Sequence, residues 1–153
     1  MKFSFFGLFG SPSNESDPQK KRLRSKRITL ANLGPELDLL SQNKTGRNRF
    51  AITSNDTDCL YFLKNGNHFD LEFEALTREQ APYIAKLQQY CEKNNIRLIM
   101  HSYGNKRLYR SDKTAPVIKL VTDFDRTATI ALTTDIMANV FKNDANTQYS
   151  ILT

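Results

Sequence analysis

The stretch that decides the fold is CLYFLKNGNHFDLEFEAL, residues 59–76. Asn65 and Gly66 lie between two runs rich in apolar and aromatic residues, and an Asn-Gly pair in that position is a strong signal for a β-hairpin. The second run alternates two residue types: Phe69, Leu71, Phe73 and Ala75 are apolar, and Asp70, Glu72 and Glu74 lie between them. This period of two predicts a strand with one buried face and one face in water, and therefore an antiparallel sheet.

The hydrophobic period changes after the hairpin, in TREQAPYIAKLQQYCEKNN, residues 77–95. The apolar residues here form one helical stripe: Tyr83, Ile84, Leu87, Tyr90 and Cys91. Thr77 and Gln80 have the spacing of a capping box. Because Pro82 would lie too deep in a helix that begins at Thr77, we expect the helix to begin near Gln80 and to end at Asn94 and Asn95.

The remaining segments complete an α+β pattern. RFAITSN (49–55), IRLIMHSY (96–103) and VIKLV (117–121) predict strands, and Pro35 after Gly34 predicts the start of a short helix through Leu40. Segment 127–141 is ambiguous between strand and helix, but its threonines favour a strand start. We therefore predict an α+β fold, a mostly antiparallel sheet with one main helix packed on it.

Composition and charge suggest two parts. With 153 residues, 39% hydrophobic and 25% charged, the chain fits one globular domain plus a tail. Residues 1–34 hold seven basic and two acidic residues (+5), and 35–153 hold 15 basic and 14 acidic (+1). The spacer GSPSNESDP (10–18) favours a disordered arm over 1–34, aromatic and basic in character, and a single domain over 35–153. No apolar run approaches the length of a membrane-spanning helix.

The strongest catalytic pattern is VIKLVTDFDRT, residues 117–127. Its Asp-x-Asp-x-Thr resembles the first motif of haloacid-dehalogenase-like phosphatases, in which Asp123 would be the nucleophile and Asp125 the acid/base beside Mg²⁺. However, only 26 residues follow Thr127, and Arg126 replaces the usual glycine. We therefore interpret the pair as turn residues between strands and predict no enzyme.

Metal and redox chemistry have little support in the sequence. His68 and His101 stand alone, and Cys59 and Cys91 have no partner at metal-ligand spacing. Two such cysteines fit a reducing compartment, with both thiols as ordinary buried residues. We expect no metal and no cofactor.

The N-terminal arm carries the predicted binding residues. The membrane-binding candidates form an aromatic cluster: Phe3, Phe5, Phe6, Leu8 and Phe9. The candidates for binding an anionic surface or nucleic acid are basic: Lys20, Lys21, Arg22, Arg24, Lys26, Arg27, Lys106, Arg107, Arg110 and Lys113. A weak apolar anchor joined to a polybasic run binds an anionic lipid membrane stably.

Other interpretations of the arm stay open. The basic run would also neutralise phosphates of RNA or nucleoprotein without reading bases, because it lacks aromatic residues for stacking. KRLR, residues 21–24, also has the pattern of a signal for a nuclear-import receptor. Alternatively, the aromatic residues fold back on the body and the basic run is a solvated linker.

The order of elements carries a resemblance. An aromatic and basic arm, the helix in REQAPYIAKLQQYCEKNN, the strand IRLIMHSY, a basic loop, and DKTAPVIKL before a Thr-rich segment together resemble rhabdovirus-like matrix proteins, over residues 1–27 and 66–135. The resemblance implies a non-enzymatic virion protein that bridges nucleocapsid and membrane and forms a homo-oligomer. It would be cytoplasmic and peripheral to a membrane, with the host nucleus as an alternative.

The chain departs from the family in two respects. It is short for a matrix protein, and it has neither a Pro-Pro-x-Tyr nor a Pro-Thr-Ala-Pro motif, since KTAP (113–116) lacks the first proline. The competing hypothesis is a secreted bacterial effector or accessory protein whose basic run serves as an import signal.

Overall fold

The computed structural model describes residues 26–44, 46, 48–107 and 114–153, with no side-chain description for 103–107 and 114. Within these ranges one seven-stranded sheet has the spatial order β1-β7-β2-β3-β4-β6-β5, and every neighbouring pair is antiparallel. The strands are β1 Arg27–Ile28, β2 Arg49–Thr53, β3 Leu60–Asn65, β4 His68–Glu74, β5 Arg97–Arg107, β6 Thr114–Phe124 and β7 Tyr149–Leu152. The helices are α1 Leu33–Ser41, α2 Ala81–Lys93 and α3 Arg126–Asn139, and a 3-10 turn spans Leu30–Asn32. The predicted α+β class is confirmed.

The central hairpin forms as predicted. Asn65 pairs with His68, so Gly66 and Asn67 form the two-residue turn between β3 and β4. Gly66 has a φ of +61°, which a residue with a side chain adopts only at a cost. Asn67 is not among the residues with positive φ, and a positive φ at the first turn position alone is typical of a type II′ turn.

The expected start of α2 near Gln80 is confirmed, and a capping box, which Pro82 argues against, forms as well. The Gln80 amide donates to the Thr77 hydroxyl over 3.2 Å, and the Gln80 side-chain oxygen accepts from the Thr77 amide over 3.1 Å. This is a reciprocal capping box, formed one turn before the regular helix. Pro82 is therefore in the first turn, where no hydrogen bond is lost.

Segment 127–141, ambiguous in the sequence with a strand start favoured, is mostly helix, because Arg126–Asn139 is helix α3. Asp125 begins this helix by accepting a hydrogen bond from the Ala128 amide over 2.9 Å. The threonines fit a helix because their hydroxyls donate to the carbonyl four residues earlier, as Thr133 does to Thr129 over 2.8 Å. The buried residues recur with helical spacing: Thr129, Leu132, Thr133, Ile136 and Met137.

The predicted boundary at residue 35 is also too late. Ile28 pairs with Tyr149 in the sheet, and Leu30 and Leu33 are buried in the core. Lys26 forms an ion pair with Glu36 of α1. Residues 26–34 therefore belong to the folded unit, whereas the expectation for 1–25 lies outside the described residues.

All three helices pack on one face of the sheet, because buried residues from each share a core cluster with the same side of the strands. An aromatic group sets the position of α2 relative to α3. The Tyr83 ring stacks on Phe141 at 4.8 Å between centroids, and Phe73 of β4 lies 5.6 Å from Phe141. This cluster joins the first turn of α2 to the chain just after α3, so the two helices run antiparallel.

Candidate functional site

Most of the predicted binding residues lie outside the described residues: Phe3, Phe5, Phe6, Leu8, Phe9, Lys20, Lys21, Arg22, Arg24, Arg110 and Lys113. Lys106 and Arg107 are in β5, where the backbone of Arg107 pairs with Thr114. Among the described residues, no helix has both the length and the apolar character needed to cross a bilayer.

Lys26 and Arg27 are the basic-run residues that the structure places. The ion pair with Glu36 gives Lys26 a role in joining the chain to α1. Arg27 is exposed in β1, at the edge of the sheet, opposite Ser150. The basic run therefore meets the folded unit at an edge strand, and Arg27 is the one of this pair that has no acidic partner within the described ranges.

The structure explains one of the two aspartates of the Asp-x-Asp pair. Asp125 caps α3, and Asp123 is exposed at the end of β6. The expected turn between two strands is instead the passage from a strand to a helix. Within the described part of the chain, no three His, Cys, Asp or Glu side chains converge as a metal site would require.

The expectation of a wet face on β4 is wrong. Asp70, Glu72 and Glu74 are 2%, 1% and 1% exposed, on the sheet face opposite the three helices. Cations on other strands contact them: Arg49 of β2 lies 3.1 Å from Glu74, and Lys119 of the neighbouring β6 lies 3.3 Å from Asp70. This carboxylate row is buried because its charges are paired across the sheet, which strand alternation alone does not reveal.

The groups around the carboxylate row are poor catalysts at neutral pH. Burial raises the pKa of the Cys59 thiol to about 11, so little of the nucleophilic thiolate is present. Burial also raises the pKa of Tyr61, whose ring lies 4.6 Å beneath the Arg49 guanidinium. Burial alone would lower the pKa of Arg49, but the hydrogen bond to Glu74, together with the charges of Glu74 and Glu72 and the nearby Tyr61, raises it overall. The row is thus a network of fixed charges.

A second feature is a cleft of about 620 Å³ between α2 and α3. One wall is a single face of α2, and the other is the last turns of α3 with the residues after it. We call it the lysine cleft and define it by nine residues: Lys86, Gln89, Tyr90, Lys93, Asn94, Asp135, Asn139, Val140 and Lys142. Its volume lies within the usual range of small-molecule sites.

The single carboxylate of the lysine cleft is already engaged. Asp135 accepts hydrogen bonds from the Tyr90 hydroxyl and, over 2.7 Å, from the Asn139 amide. Burial, and then the hydrogen bond to Asp135, raise the pKa of Tyr90, so the phenol stays protonated as the donor. The cleft therefore holds three ammonium groups and one carboxylate whose two oxygens are both used.

Sequence reasoning missed this cleft because it followed the apolar stripe of α2. The polar wall has its own helical spacing, with Lys86, Tyr90 and Lys93 on one face. That spacing is the signal in the sequence that could have indicated the cleft. The opposite wall comes from a segment predicted to start as a strand, so the sequence did not indicate that the two walls of the cleft meet.

Comparison with known proteins identified no relative. No protein-family model, no curated protein and no solved structure matches this chain.

Proposed function

We propose that this chain is a non-enzymatic peripheral protein that binds an anionic membrane surface through residues 1–27. The observation that carries the proposal is the charge distribution: residues 1–34 hold a net +5, and the other 119 residues hold +1. Concentrated positive charge beside an apolar cluster is the combination that holds a protein reversibly on anionic lipid.

The fold agrees with this arrangement in one respect. The basic run enters the folded unit at β1, where Arg27 is exposed at the sheet edge. The ion pair with Glu36 removes Lys26 from the set of free cations, so we assign binding to Lys20, Lys21, Arg22 and Arg24 with Arg27. The matrix-protein resemblance adds self-association on the membrane to the proposal.

Co-sedimentation with vesicles tests the proposal, using phosphatidylcholine with and without phosphatidylserine. Changing Lys20, Lys21, Arg22 and Arg24 to Gln removes about 1 kcal/mol of attraction per residue, about 4 kcal/mol together, which is on the order of a thousandfold in partitioning onto anionic vesicles. The remaining binding should depend less on salt concentration, because the electrostatic attraction that salt screens has been removed. The control changes Lys44 and Arg78, two exposed cations of the folded unit, to Gln, and so removes half as much charge from outside the arm.

The aromatic cluster of the N-terminal arm is tested separately. Replacing Phe5, Phe6 and Phe9 with Ser should weaken binding at low and high salt alike, because insertion is not screened. Parental binding by both arm variants would refute the proposal. If the charge variant alone lost affinity, and lost it for RNA as well, the basic run would be a nucleic-acid tether and the membrane proposal would be wrong.

A further inference from the structure

We propose that the lysine cleft between α2 and α3 binds a phosphate-bearing anion, at a site separate from the N-terminal arm. The proposal rests on the convergence of Lys86, Lys93 and Lys142 around one concavity of about 620 Å³. None of the three forms an ion pair with a carboxylate in the described part of the chain. The one carboxylate of the cleft, Asp135, is already hydrogen-bonded to Tyr90 and Asn139, so the three like charges repel each other, and a bound anion relieves that repulsion.

Charge compensation at helix ends explains only part of this arrangement. Lys93 is in the last turn of α2 and Lys142 follows α3, so both are placed to interact with helix C-termini. Lys86 is in the middle of α2 and gains nothing from either terminus. Its ammonium lies 4.6 Å from the centre of the Tyr83 ring, one helical turn earlier on α2.

The backbone at Lys142 gives a second observation. Lys142 has a φ of +62°, a conformation that favours glycine at the position after a helix. A lysine here costs stability that glycine would recover, and Lys142 lines the same cleft as Lys86. Lys93, seven residues from Lys86, is about 10 Å further along the α2 axis.

This geometry indicates the class of ligand. Three separated lysines are point charges suited to several phosphate oxygens rather than to one planar carboxylate. Asn94 and Asn139 add amide groups at the walls, and the volume exceeds that of a single inorganic phosphate. The expected ligand is thus a small organic molecule with two or more phosphates, either a soluble nucleotide or an inositol phosphate headgroup.

Titration calorimetry on the full chain tests the proposal, with ATP, inositol trisphosphate and uncharged adenosine as probes. We expect one or both phosphates to bind in a salt-sensitive manner and adenosine not to bind. Tighter binding of ATP would identify the soluble source, and tighter binding of inositol trisphosphate the headgroup. The triple change of Lys86, Lys93 and Lys142 to Gln should lower the affinity by roughly tenfold or more.

Two variants keep the test specific. Changing Lys44, Lys64 and Arg78 to Gln removes the same charge outside the cleft and should leave the affinity within about twofold. Lys142→Gly should weaken binding while the melting temperature stays the same or rises, because glycine accepts the positive φ. Absence of phosphate binding, equal loss in the control, or unchanged binding by Lys142→Gly would overturn the proposal. The four Gln changes in the arm should leave this binding intact.

Discussion

Asp58 is the residue whose replacement should most clearly reveal how the loop between β2 and β3 is held. Its side chain is fully buried, at 0% exposure, and it accepts hydrogen bonds from the Ser54 amide over 2.8 Å and the Thr53 hydroxyl over 2.8 Å. It also accepts from the Asn55 amide over 3.1 Å and from the Asn143 side chain over 2.7 Å. One carboxylate thus ties this loop to the segment that follows α3.

Asp58→Ala removes the acceptor and leaves these donors without it. A buried donor that loses its partner costs about 1–3 kcal/mol. Because Asn55 is exposed and the Thr53 hydroxyl has a second acceptor in the Asn55 carbonyl, we count the Ser54 amide and the Asn143 side chain and expect a loss of about 3 kcal/mol. For a chain of this size, that lowers the melting temperature by roughly 6–12 °C.

Thermal and urea unfolding measure this loss, with Asp56→Ala as the matched control. Asp56 is an exposed acid of the same loop, so its removal should change stability by about 0.5 kcal/mol or less. Hydrogen exchange should show faster exchange at the Ser54 amide in Asp58→Ala only. Equal stability of the two variants would refute the assignment of Asp58 as the acceptor that organises this loop.

Three substitutions and the reactivity of the two thiols test the rest of the fold. Asp125→Ala should lose about 1 kcal/mol in urea unfolding because α3 loses its N-cap, whereas Asp123→Asn should unfold like the parent and have no Mg²⁺-dependent phosphatase activity to lose. Leu87→Ala should lose roughly 2–5 kcal/mol because Leu87 is fully buried, and an unchanged melting temperature would show that α2 packs through another face. Burial raises the pKa of Cys59 and of Cys91 to about 11, so both thiols should react with iodoacetamide far more slowly at pH 8.5 in the folded protein than in urea. The same shifts mean that stability is fully present below the unfolded thiol pKa and falls as pH rises through about 11.

Features determined by near neighbours in the chain could be predicted from the sequence. The turn at Gly66 and the capping box of Thr77 and Gln80 depend on groups within four residues of one another. The stripe that buries Leu87 and Cys91 follows from the period of the helix. Local geometry and hydrophobic period therefore sufficed for the α+β class, the central hairpin and α2.

Features that depend on distant partners could not be predicted. Glu72 looks like a solvent-exposed strand residue until the sheet order brings Arg49 to within 3.6 Å of its carboxylate. Segment 126–139 has the β-branched residues of a strand, but burial of residues such as Ile136 against the sheet makes it a helix. Tertiary packing overrode local preference in both cases.

The lysine cleft shows most clearly the difference between what the sequence determines and what only the tertiary structure determines. The sequence by itself determines that Lys86 and Lys93 share one face of α2, because their spacing is two helical turns. Only the tertiary structure brings Lys142 to that face, since it is 49 residues from Lys93 in the chain and reaches the cleft through the contact of Phe141 with Tyr83. Charge and helical period are local properties of the chain, whereas a concave site requires walls from separate segments, and their meeting depends on the packing of the whole core.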